Sequence, residues 1–222
     1  MSDQRVSLFV AAVYIYLPVM ILLLATGVVS MVKDVPIELF MRDTTVVARV
    51  PFYFGAISNI GILLWCATAS MCLLTSGVLH RVSTRSKDKL FFLGAALITS
   101  VLMIDDLFLV HEALGPLYLA LPSDAFFVSY GVLALAFFLY YYRFILHTDY
   151  ILLLLGMVFL AGSVVLDLLA DNNLLLSIMS TGVQYFLEDG FKLLGIAGWF
   201  SYFGGECFRR LVRQDGREST TA

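Results

Sequence analysis

The stretch LFFLGAALITSVLMIDDLFLVHE, residues 90–112, decides the fold. Residues 90–104 carry no charge and show no alternation of period two, so they specify a helix rather than a half-buried strand. At a rise of roughly 1.5 Å per residue the stretch crosses a hydrocarbon core of about 30 Å. Asp105 and Asp106 then fall about three-quarters of the way across. An apolar helix that carries two carboxylates to that depth sets the terms for the rest of the chain.

Outward from this stretch the same character recurs. Of the 222 residues, 60% are hydrophobic and 14% charged, against roughly half and a quarter in a soluble domain. Mean hydropathy is +0.91. Only helices or closed barrels satisfy their backbone groups within lipid, and the long unbroken runs exclude the short alternating strands of a barrel. The expectation is an all-α polytopic membrane protein of about six transmembrane helices. The predicted helices cover residues 7–32, 52–79, 90–112, 124–146, 151–171 and, beginning near Gln184, 184–208. The first is too long for the core of a secretory signal, roughly 7 to 15 residues, and is predicted to be retained. Gly115, Pro116 and Pro122 predict a turn-rich loop after the third helix.

The connections are short, so residues 1–208 are expected to form a single transmembrane domain. Residues 209–222 hold too few apolar side chains for a core and are predicted to be a disordered cytoplasmic tail. Lys and Arg are uneven between the two sides. Arg5, Arg81, Arg85, Lys87, Lys89, Arg143, Arg209, Arg210, Arg213 and Arg217 fall on one side, and Lys33, Arg42 and Arg49 on the other. This bias predicts both termini in the cytoplasm and a multi-pass protein of the inner membrane. The net charge of -3 gives no reason to expect nucleic acid as a partner. Membrane lipid is the expected partner. A packing partner or second copy is the role suggested by Gly190, Gly195, Gly198, Gly204 and Gly205 along the sixth helix.

Depth counting brings the ionisable residues of three helices to one layer. Asp105, Asp106, His111 and Glu112 arrive on the third helix, Asp167 and Asp171 on the fifth, and Glu188, Asp189 and Lys192 on the sixth. Such groups cost roughly 2.5 to 3.5 kcal/mol each at the bilayer centre, so they should turn inward onto one another, water or a cation. On continuous helices Asp105 and Glu112 share a face, as do Asp167 and Asp171, while Asp106 and His111 point elsewhere. Glu188 and Lys192, four apart with the acid first, have the spacing of an intrahelical ion pair.

Clustered carboxylates beside a histidine suit a divalent metal ion, with Asp105, Glu112, Asp167, Asp171 and Glu188 as its ligands. His111, Glu112, Glu188 and Lys192 are the candidate catalytic groups for proton transfer. No ligand signature as specific as HExxH is present. The functional expectation is a membrane-embedded enzyme that uses this cluster near the outer leaflet on a lipid or isoprenoid substrate. A cation- or proton-coupled transporter or channel, and a non-catalytic membrane subunit, are the alternatives. Cys66, Cys72 and Cys207 have no metal-ligand spacing and are expected to be packing thiols.

Overall fold

The structure is a computed structural model that describes residues 2–82, 86–171 and 180–218. Every regular element among them is helical. Among the described residues, five helices contain segments long and apolar enough to cross a membrane: Tyr16–Lys33, Ala56–Arg81, Lys87–Phe108, Ser123–Ile145 and Tyr150–Ala170. The chain divides into two compact units, Met1–Phe54 and Gly55–Ala222.

The first unit is one long helix, α1 (Ser2–Lys33), followed by two short ones, α2 (Glu38–Met41) and α3 (Thr44–Ala48). Left-handed residues punctuate it. Asp34 has φ 52° and Arg49 has φ 57°, each just past a helix end.

The second unit holds α4 (Ala56–Val82), α5 (Ser86–Phe108), a π-helical segment (Val110–Leu119), α6 (Ser123–Ile145), α7 (Tyr150–Asp171) and α8 (Thr181–Glu218). Helix α8 packs against both α4 and α7, and α4 packs against α5. The core is aromatic. Trp65 of α4 meets Trp199 of α8 edge-on at 5.7 Å, Trp199 lies 5.1 Å from Phe203, and Phe91 of α5 lies 5.9 Å from Phe203. All four are buried. The Trp199 indole N–H is satisfied by Thr99 Oγ1 at 3.0 Å. Cys72 and Cys207 pack in the α4–α8 contact with sulfurs 3.9 Å apart.

The α7–α8 contact is made by glycines. A Cβ at Gly198 would sit 2.9 Å from the Cα of Gly156, and one at Gly195 would sit 2.9 Å from the carbonyl oxygen of Gly156. Two of the five glycines singled out in the sequence thus permit a close backbone approach, but within the chain itself.

Two expectations need correction. The third predicted helix does not run to Glu112. It ends at Phe108, because Leu109 adopts φ 50°, ψ 48° and reverses the chain. The predicted loop at Gly115 and Pro116 is instead the wide π-helical segment, whose ladder opens with Leu114 N–H on the Leu109 carbonyl at 3.1 Å. Helix α8 continues through Glu218, and residues 219–222 of the predicted tail lie outside the described residues. Tertiary anchors hold its path past Phe208: Arg209 pairs with Asp149 and, at 2.5 Å, with Glu206, and Arg210 reaches Asp88 at 2.6 Å across the face of Phe144.

Candidate functional site

The site is built where α5 stops. Leaving an α-helix through a left-handed leucine costs about 1 to 2 kcal/mol and frees backbone N–H groups. Asp105, one turn back, absorbs part of this cost, since its Oδ1 accepts the backbone N–H of His111 at 3.0 Å. The same reversal folds the His111 ring onto the carboxylate, with Nδ1 2.6 Å from Oδ2. Tyr130 of α6 donates its hydroxyl to Oδ1 at 2.8 Å. Asp105 therefore accepts three hydrogen bonds from two elements, and both it and His111 have side chains 7% exposed.

The segment is held against α6 from two directions. Ser123 Oγ donates to the His111 carbonyl at 3.0 Å, and Phe127 lies 4.8 Å from the imidazole. Gly115 is required for this contact, because a Cβ there would come within 2.3 Å of the Phe126 ring. With Nδ1 committed to Asp105, Nε2 is the nitrogen left to act, and it faces Glu112 Oε1 at 3.5 Å. Burial alone disfavours the imidazolium. The hydrogen bond and charge of Asp105, with Glu112 beside it, outweigh that, and the His111 pKa is held above its ordinary value.

Asp106 faces the other way. Its Oδ1 lies 2.6 Å from Lys192 Nζ of α8, and its Oδ2 accepts the Trp65 indole N–H from α4 at 2.9 Å. Its side chain is 8% exposed. One carboxylate thereby ties three helices together.

Several pairings expected from spacing are replaced. Asp105 and Glu112 share a face only while the helix continues, and Leu109 ends it. Asp105 pairs instead with His111, which spacing had set aside. Lys192 pairs with Asp106 rather than Glu188, and Glu188 forms no ion pair among the described residues. It does lie within charge–charge range of Asp167, Asp189, Lys192 and Glu112. The ionisable residues at the end of α5 thus take partners other than those that spacing suggests. The backbone of Asp171 is the last turn of α7, while its side chain lies outside the described residues.

Asp105 is committed to His111 and Tyr130, and among the described residues no three His, Cys, Asp or Glu side chains are grouped as metal ligands. His111 Nε2 and Glu112 Oε1 remain a facing donor pair, with Glu112 57% exposed.

Tyr130 and Trp65 complete the site. Sequence reasoning brings Tyr130 to a comparable depth without a partner and does not single out Trp65. The available signal was the indole N–H, a donor that needs an acceptor when buried.

No curated protein and no solved structure matches the chain. A family profile does, over residues 16–204. The chain belongs to the family described as a domain of unknown function, DUF8692.

Proposed function

We propose that the protein is a membrane-embedded enzyme in which the Asp105–His111 pair transfers protons to and from a lipid substrate at the bilayer boundary. The observation that carries this reading is the 2.6 Å contact from Asp105 Oδ2 to His111 Nδ1. A buried carboxylate on Nδ1 fixes the imidazole's orientation and tautomer, and leaves Nε2 as the basic atom. Nε2 accepts a proton from the reacting group or returns one, and Asp105 stabilises the imidazolium formed between the two steps. Glu112, more exposed, exchanges that proton with the surroundings.

A lipid is favoured by what surrounds the pair. The π-helical segment that carries His111 exposes Leu117, Tyr118 and Leu119, the composition of an element lying in the membrane interface. On this reading α8 crosses as a sixth span, its ionisable residues turned toward α5. The end bearing Arg209 and Arg210 is cytoplasmic, as are both termini, and the membrane is the inner one.

The test is lipid mass spectrometry of cells that produce the wild-type chain or the His111→Asn variant at equal levels. The expected result is a lipid species consumed or formed only with the wild type. Indistinguishable lipid profiles would overturn the enzyme reading.

A further inference from the structure

Beside the acid–base pair lies a second feature that proton transfer does not use. A shallow cleft, open on one side, is lined by Ile57, Ser58 and Gly61 of α4, Asp106 of α5, and Asp189, Lys192, Leu193 and Ile196 of α8. The α8 residues are spaced three, four and seven apart and so form one face of that helix. Gly61 closes the floor: a Cβ there would lie 3.0 Å from Ile196 Cδ1, so the two helices approach closely beneath the polar rim.

The rim is chemically incomplete in a specific way. An ammonium has three donors. Lys192 places one on Asp106 Oδ1, and the other oxygen of Asp106 is taken by Trp65. Lys192 therefore keeps donors for a ligand, while both oxygens of Asp106 already accept one. Asp189, exposed on the same face, forms no ion pair among the described residues. The cleft thus offers one cation with spare donors and, one helical turn away, one unmatched carboxylate. That pattern is complementary to a zwitterion.

Depth selects the kind of zwitterion. Ser58 and Gly61 belong to the first turns of the Ala56–Arg81 span and Asp106 to the last turn of Lys87–Phe108, so the cleft opens where lipid headgroups begin. Ile57 and Ile60 are exposed on its α4 side and present a path for an acyl chain. We propose that the cleft binds the headgroup of a zwitterionic phospholipid bearing a primary amine. The phosphate accepts from Lys192 Nζ and Ser58 Oγ, and the ammonium donates to Asp189. This deepens the enzyme reading by naming a substrate class, and it rests on that reading only for the step that follows binding.

The test uses the purified full chain in detergent, with thermal unfolding and native mass spectrometry read after adding phosphatidylethanolamine, phosphatidylcholine, phosphatidylglycerol or soluble phosphoethanolamine. The wild type is expected to prefer phosphatidylethanolamine over phosphatidylcholine by about tenfold or more, the scale of one charge-assisted hydrogen bond that a quaternary ammonium cannot make. Asp189→Asn, an exposed substitution that leaves the helix contacts intact, is expected to erase that preference. Lys192→Gln is expected to weaken both lipids. Equal binding of the two lipids by the wild type, an undiminished preference in Asp189→Asn, or equally tight binding of soluble phosphoethanolamine would each overturn the assignment. His111→Asn is expected to keep the preference. A preference that survives in a wild type without turnover overturns the enzyme reading alone.

Discussion

Asp105 grips His111 twice, through the ring at 2.6 Å and through the backbone N–H at 3.0 Å, so one carboxylate fixes both the path of the chain and the orientation of the imidazole. The backbone bond terminates α5, and the ring bond makes the termination useful. Neither is separable from the left-handed turn at Leu109 that lies between the two residues.

Removing that carboxylate is costly. Asp105→Ala leaves the imidazole, the His111 N–H and the Tyr130 hydroxyl without their acceptor, and is expected to destabilise the protein by about 3 to 5 kcal/mol. Tyr130→Phe removes one donor and leaves Asp105 two others, so its expected cost is about 1 kcal/mol. Denaturant titration in detergent micelles measures both. Equal losses would mean that Asp105 does not organise the site.

Stability should also depend on pH through His111. Its folded pKa is raised, while an unfolded histidine titrates near about 6.5. The imidazolium's contribution is therefore fully present below about pH 6.5 and is lost as pH rises through the folded value. The unfolding midpoint of the wild type is expected to fall across that window. His111→Gln should flatten the curve there, and an identical slope in the variant would refute the linkage.

Asp106 and Lys192 should behave as a coupled pair. Lys192→Gln leaves a buried carboxylate with only the Trp65 N–H, and Asp106→Asn leaves the ammonium without its partner. The double variant removes both charges together. Its loss is expected to be smaller than the sum of the single losses by roughly 1 to 3 kcal/mol, measured in a double-mutant cycle. Additive losses would show that the 2.6 Å contact carries no net energy.

The glycines of α8 should divide sharply. Gly198→Ala forces a methyl group to 2.9 Å from the Cα of Gly156, where backbone cannot yield, and is expected to destabilise by about 1 to 3 kcal/mol. At Gly190 nothing lies within 4 Å of an added Cβ, so Gly190→Ala is expected to stabilise by up to about 1 kcal/mol through helix propensity. Thermal unfolding of the two variants side by side checks the opposite signs.

The sequence by itself determined what is local or cumulative. An apolar run such as residues 90–104 has to be a helix in lipid, because its backbone groups have no other partners there. Counting along each helix likewise sets an expected depth for its acids. Partner choice was different. Whether Asp105 meets His111 or Glu112 turns on Leu109, a residue type that seldom adopts φ 50° and carries no turn signal; Gly115 and Pro116, which do, lie within the segment that follows. Whether Lys192 meets Asp106 or Glu188 turns on how α8 is rotated against α4 and α5, which the aromatic core and the glycine contact to α7 settle together. Helix formation and depth depend on spacing along one segment, whereas pairing depends on the rotation and ending of several. Only the packed tertiary structure fixes those.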